Sequence, residues 1–387
     1  VIAVKAGSRF WIPALLLFLA IGMFFGSDGL GIQFSNPGIA QFVGIVALNI
    51  ILFSGGMDTL MTNIKPIAGK GIALATVGVL LNTLLTGLFI YLFFHILFHF
   101  ESLSIPESML MAAVMSSTDS ASVFSILRSR NIKLKQGIGQ ILELESGSND
   151  PMAYMLTILI IGYIQNGGIS FSDALVTLGL QLGVGVLLGF VLGKLAVWFV
   201  NKVNIVKSAL YPILLLGLIF LTFSVTNLAQ GNGFLAVYIA GLIFGNSKII
   251  HKNIITTFFD SFVWLWQIIM FLTLGLLVNP HELLEVWVIA VAVGLFMILV
   301  ARPAAVFLSL LPFRNLCTRS KLYVSWMGLR GAVPIIFATY PLTAGIDNAH
   351  LIFNVVFFIT ILSLLLQGTT ASLFARKLRV LDETTDI

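Results

Sequence analysis

ESMLMAAVMSSTDSASVFSIL (residues 107–127) is apolar and long enough to cross a bilayer, yet it is interrupted at its centre by SSTDS. KLYVSWMGLRGAVPIIFATYP (321–341) is built the same way, with GLRGAVP in the middle. Ser, Thr and Asp compete for backbone hydrogen bonds, and two glycines with a proline end a helix, so both stretches predict helices broken halfway. A helix broken inside a membrane leaves peptide groups unpaired, which is tolerated only where they line a cavity or are buried in protein.

A spanning helix needs about 20 mostly apolar residues. Ten further stretches of this kind surround the two broken ones: 10–25, 37–56, 71–97, 137–164, 173–200, 209–228, 233–247, 258–277, 284–311 and 349–375. None shows the alternating period of a barrel wall, so the expected fold is an all-α polytopic membrane protein with about twelve transmembrane helices. Composition agrees: 58% of the 387 residues are hydrophobic and 10% charged, against about 25% charged in a soluble domain. The net charge of +5 would suggest a nucleic-acid partner in a soluble protein; here its distribution matters more, and no nucleic acid is expected. Cys317 is the sole cysteine, which excludes an internal disulfide and argues against redox chemistry. No linker interrupts the spans, so residues 1–387 read as one membrane domain.

Every second connection is basic. Lys5 and Arg9 precede the first span, Lys65 and Lys70 follow the second, and Arg128, Arg130, Lys133 and Lys135 follow the fourth. Lys194, Lys202 and Lys207 follow the sixth, Lys248 and Lys252 the eighth, and Arg376, Lys377 and Arg379 the twelfth; Arg302, Arg314, Arg319 and Lys321 are assigned to the end of the tenth. The alternate connections carry Asp28, Glu101, Glu107, Asp173, Glu282, Glu285 and Asp347. The positive-inside rule places both ends of the chain in the cytoplasm. Because the chain opens on Val1, with no initiator methionine and no cleavable leader, it is read as a piece lacking an upstream helix.

Arg330 is the basic residue without an address at a span end, and Asp119, Glu143, Glu145 and Asp150 are the acids inside spans. Each would cost about 2.5–3.5 kcal/mol facing lipid at mid-membrane, so they are expected to face one another or water. Residues 143, 146, 147 and 150 share one helix face, which sets the Ser146 hydroxyl one turn from the Asp150 carboxylate: half of an oxygen-rich cation site. Glu145 and Asn149 occupy the neighbouring face, where one can meet an arginine and the other can bond stray peptide groups. Pro151 is expected to loosen the turn carrying Asp150. Paired interrupted helices running in opposite directions point to an inverted repeat with a binding site at mid-membrane, involving Asp119, Asn149 and Arg330. Desolvation favours a protonated carboxyl and a bound cation favours a charged one, so proton and cation compete for Asp150. Oxygen ligands without a second fixed carboxylate beside Asp150 suit a monovalent ion such as K+ or Na+.

STDSASVFSILRSR, then ESGSNDPMA, then GLRGAVPIIFA, with LPFR at 311–314 and SLLLQGT at 363–369, together resemble the monovalent cation:proton antiporters of the NhaP type, closest to the potassium/proton, cell-volume-regulation branch. The resemblance covers essentially the whole chain. It implies thirteen helices in the family, a core of inverted repeats with crossing broken helices (about 71–164 and 284–375 here), scaffold and dimerisation helices in the remainder, and a homodimer in a bacterial plasma membrane serving pH and volume homeostasis. It also implies that any C-terminal cytoplasmic domain is absent from this chain. By matching position, Asp150 is the carboxylate that exchanges proton for cation, and Asn149 belongs to the Asn-Asp pair associated with electroneutral exchange. Thr118 and Asp119 are the unwound-helix pair, Ser146 is a hydroxyl ligand, and Glu145 with Arg330 is the buried ion pair joining the repeats. K+ or Na+ is expected at Asp150, Ser146 and Thr118. The family often has TDP where this chain has TDS, with Ser120 in place of proline.

Weaker signals are set aside. His95 and His99 have metal-ligand spacing but no third partner and sit at a span end, favouring an interfacial role. TVG at 76–78 does not continue as a potassium filter. GVGVLLG and GLIFG read as helix-packing faces. Glu143 reads equally as funnel lining or helix-end acid, and Asp119 could simply cap a half-helix. A secondary antiporter is the expected function, a cation channel without proton coupling the alternative, and an enzyme is not expected: no metal cluster, haem ligand pair or activated nucleophile accompanies these residues, and no cofactor is implied.

Overall fold

The computed structural model describes residues 14–97, 103–119, 123, 134–313 and 315–382. Lys5, Arg9, His99, Glu101, Ser120, Arg128, Arg130, Lys133 and Arg314 lie outside these. Every regular element among the described residues is a helix: α1 (Ala14–Phe25), α2 (Pro37–Asp58), α3 (Ala68–Ile96), α4 (Ile105–Val114), α5 (Ile138–Gln165), α6 (Phe171–Lys202), α7 (Ser208–Leu228), α8 (Gly233–Gly245), α9 (Lys252–Leu277), α10 (Pro280–Ser309), α11 (Thr318–Trp326), α12 (Ala332–Thr343) and α13 (Ala349–Lys377). Seven of them, α2, α3, α6, α7, α9, α10 and α13, are long and apolar enough to cross a membrane. The 28-residue α5 carries Glu143, Glu145 and Asp150 in its first half and runs on through Pro151.

The chain forms two compact units, one comprising Val1–Gln41, Ile67–Gly167 and Met270–Ile387, the other Phe42–Pro66 and Gly168–Ile269. In the second unit α6 buries a stripe of Gly185, Gly189 and Gly193. A Cβ at Gly189 would lie 2.7 Å from the Ala236 carbonyl oxygen of α8, so the two backbones touch where any side chain would hold them apart. In a lipid solvent, with no hydrophobic drive between helices, such close van der Waals packing is what joins them. The opposite face of α6 exposes Leu180, Leu187 and Leu195, as suits contact with acyl chains.

In the first unit one order of elements occurs twice. A long helix containing a π turn (α3, Leu74–Gly78) is followed by a helix that stops halfway (α4) and then by a long helix (α5). The second instance is α10 with its π turn at Met297–Ala301, the broken pair α11 and α12, and α13 with a π turn at Leu364–Gly368. The second triplet begins seven helices after the first, an odd number of crossings, so it runs through the membrane in the opposite sense: an inverted repeat. The segment after α13 returns to the start of α5, where Lys135 N–H donates to the Val380 carbonyl at 2.9 Å and Leu134 pairs with Leu381 as an antiparallel bridge.

At the other end of this unit, Asp28 Oδ2 accepts the backbone N–H of His281 at 3.0 Å and lies 2.6 Å from His281 Nδ1. The backbone N–H and then the ring hold the exposed Asp28 carboxyl below its usual range. A carboxylate depressed on folding adds stability above its unfolded value, and that contribution vanishes as pH falls through the folded one. The melting temperature of wild type is therefore expected to exceed that of Asp28→Asn slightly at pH 6, and the gap to close below about pH 4. A gap that persists unchanged into strong acid counts against the pairing.

Candidate functional site

α4 ends at Val114, Met115 and Ser116 form a turn, and Ser117, Thr118 and Asp119 are non-helical. After α11 the chain is non-helical again from Met327 to Gly331. The two non-helical pieces cross, and the crossing is fixed by one main-chain hydrogen bond, Asp119 N–H to the Leu329 carbonyl at 2.9 Å. Gly331 is required by this approach: a Cβ there would fall within the Asp119 carboxylate.

α5 packs its polar face against this crossing. Ser117 Oγ donates to Asp150 Oδ1. Asn149 Nδ2 donates to Thr118 Oγ1 at 2.5 Å, and Thr118 Oγ1 lies 3.1 Å from Ser146 Oγ. Asp150 is 4% exposed and Asp119 7%, and the two charges act on each other, so a second carboxylate stands near Asp150 where none was expected, brought there by the break after α4. Asn149 Oδ1, also buried, has no hydrogen-bond partner among the described residues. Hydroxyl and carboxylate oxygens from α5 and from the first break, with the Asn149 amide N–H, thus come together, and oxygens of this hardness suit an alkali cation. Glu143 is half-buried, two turns before Asp150. Ser117, which neither spacing nor resemblance singled out, is the residue in direct contact with Asp150; its only sequence signal is membership of the SSTDS interruption.

The ion pair differs from expectation. Glu145 does meet an arginine, but the arginine is Arg302: Glu145 Oε1 and Arg302 Nη2 are 2.5 Å apart, with neither N–H aimed along the line between them. Arg330 instead folds back on its own segment, donating from Nη1 to the Gly328 carbonyl at 2.8 Å. Arg302, assigned above to a span end, is 3% exposed within α10, directly after that helix's π turn. The physical reason is steric. Gly328 leaves room for Arg302, since a Cβ there would sit 2.6 Å from Arg302 Nε, while its carbonyl takes the Arg330 guanidinium, so Arg302 makes the direct contact with Glu145.

The family described as "Sodium/hydrogen exchanger, transmembrane" matches residues 1–377. The chain is 41% identical over 376 residues to the K(+)/H(+) antiporter NhaP2 of Shewanella oneidensis, covering 96% of this chain and 64% of the relative. It is also 41% identical over 381 residues to the K(+)/H(+) antiporter NhaP of Alkalimonas amylolytica, covering 98% of this chain and 65% of that one. The chain therefore spans somewhat less than two thirds of the length of these relatives. The solved structure of the sodium proton antiporter MjNhaP1 from Methanocaldococcus jannaschii at pH 8 superposes with a TM-score of 0.84 at 25% identity, covering 97% of this chain and 95% of that one.

Proposed function

The chain belongs to the sodium/hydrogen exchanger family, and from that premise we propose that it exchanges a monovalent cation, K+ in the first place and Na+ as an alternative, for H+ at Asp150. The observation that carries this reading is the buried Asp150 carboxylate beside the hydroxyls of Ser117, Thr118 and Ser146, with the Asn149 amide donating to Thr118, at the crossing of two broken helices. A carboxylate in so dry a place holds its charge only with a counter-ion, and either a proton or an alkali cation can serve, but one excludes the other. The ion enters when the site faces one side of the membrane, the neutralised site crosses, and the ion leaves on the other, which is alternating access around a fixed site. Thr118 and Ser146 supply neutral ligands, Asp119 a second acidic group, Asn149 positions Thr118, and Glu143 lines the approach.

The charges at the centre favour electroneutral exchange. Asp119, Glu145 and Asp150 are buried there against Arg302 and Arg330. Three carboxylates against two guanidiniums leave one negative charge, which a single proton or a single monovalent cation cancels equally well. Each crossing then carries no net charge. The potassium preference follows the names of the relatives that share 41% of the sequence. The basic connections support a cytoplasmic position for those connections, and the family resemblance supports a bacterial inner membrane and a homodimer.

The test is purified protein in liposomes loaded with a pH-sensitive dye. Imposing K+ or Na+ gradients is expected to move protons at a rate that clamping the membrane potential leaves unchanged. A rate that follows the imposed voltage would overturn the electroneutral scheme, and ion current without proton movement would favour a channel.

A further inference from the structure

A continuous helix through the eleventh stretch would bond the Arg330 N–H to the Trp326 carbonyl, four residues earlier. The chain breaks at that bond, and both of its orphaned ends are taken by α13. Gln367 Nε2 donates to the Trp326 carbonyl at 2.8 Å, and Ser363 Oγ accepts the Arg330 N–H at 2.9 Å. Ser363 Oγ in turn donates to Gln367 Oε1 at 2.6 Å, closing the circuit. Two side chains one turn apart thus stand in the place of one lost helical hydrogen bond. Both are fully buried, and Gln367 lies within the π turn Leu364–Gly368, where the widened turn resets the direction in which side chains leave the helix. The entry to the break is anchored by the same helix: Trp326 Nε1 donates to Thr370 Oγ1 at 3.0 Å, and the Trp326 ring stacks on Phe374 with centroids 3.9 Å apart.

We propose that Ser363 and Gln367 form a splint that fixes where the second broken helix opens, and are thereby positioning residues for the cation site. Between the two splinted groups lies the Leu329 carbonyl, which receives the Asp119 N–H across the crossing. The splint therefore sets the register in which the two non-helical segments meet and the place Asp119 occupies beside Asp150. A buried amide left without a partner is costly, and the break then re-forms its helical bond or migrates along the chain. Either outcome pulls Leu329 from Asp119.

This rests on the exchange reading above, so the test has an arm that does not involve transport. Hydrogen exchange is measured peptide by peptide on wild type, Ser363→Ala, Ser363→Thr and Gln367→Met purified in detergent. Ser363→Ala and Gln367→Met are expected to alter exchange in peptides covering 326–331 and 115–119 while those of α6 and α8 stay at wild-type rates; Ser363→Thr, which keeps the hydroxyl, stays close to wild type at the break. In liposomes the first two variants are expected to raise the apparent KM for the cation several-fold more than they lower the maximal rate. Unchanged exchange at the break overturns the splint whatever the transport result. Uniformly faster exchange over the whole chain, with KM unaltered, reduces the pair to general packing and also overturns it. Altered exchange confined to the two breaks, in a protein whose wild type moves no ions, leaves the splint standing and removes the exchange reading.

Discussion

Asp150→Asn is expected to reduce cation-driven proton movement in liposomes to the level of protein-free vesicles, while the protein folds and melts at or above the wild-type temperature. The substitution keeps the volume of the side chain and an oxygen to accept from Ser117 Oγ. What it removes is one of the three buried carboxylates that together outnumber the two guanidiniums of the centre. Without that charge an alkali ion gains nothing by shedding its water, and a proton has nowhere to sit. The stability should move the other way, because an uncompensated buried charge is a cost that selection accepts at a working site. Dye-loaded vesicles and a thermal melt on one preparation give both readings. Transport at wild-type rate by Asp150→Asn removes Asp150 from the mechanism.

Arg302→Met is expected to be the most destabilising single change among the buried charges. It takes from the fully buried Glu145 the arginine in direct contact with it, at a cost of about 3–5 kcal/mol. Adding Glu145→Gln should recover most of the loss, since a neutral pair of similar volume replaces a broken ionic one. Arg330→Met should not be rescued by Glu145→Gln, because the Arg330 guanidinium donates to the Gly328 carbonyl instead. Melting temperatures of the three single and two double variants in detergent decide the matter. Rescue of Arg330→Met but not of Arg302→Met would restore the pairing that the family resemblance implies.

The contrast between these arginines shows what the sequence could and could not convey. The interruptions SSTDS and GLRGAVP were legible because their residues carry local chemistry that forbids a continuous helix, and both breaks fall where that chemistry stands. Asp150 and Ser146 were legible because helical spacing sets them on one face. Arg302 was not, since LPFR follows it closely and a basic residue near the end of an apolar run is ordinarily a membrane-edge anchor. PAAVFLSLLPF, the apolar stretch between Arg302 and that end, was the signal that it lies deeper. Ser363 and Gln367 were present only as part of SLLLQGT, because the demand they meet arises in a helix more than thirty residues away in the chain and appears only once the two are packed together. The π turns had no signature at all, being imposed by what the helices must present to their neighbours rather than by local preference.

Those wide turns carry a last implication. Arg302 follows one and Gln367 sits in another, so both polar groups are aimed by a single residue of surplus in an otherwise ordinary spiral. Each residue in a regular helix advances the azimuth by about 100°; losing one amino acid upstream of either group would swing it from the protein interior to the acyl chains. The lipid-facing stretches of α10 and α13 can therefore drift freely in composition, Leu for Val or Phe for Ile, while their length in residues is under strict constraint. Among greasy segments that look interchangeable, it is the arithmetic of insertion and deletion that inheritance has to guard.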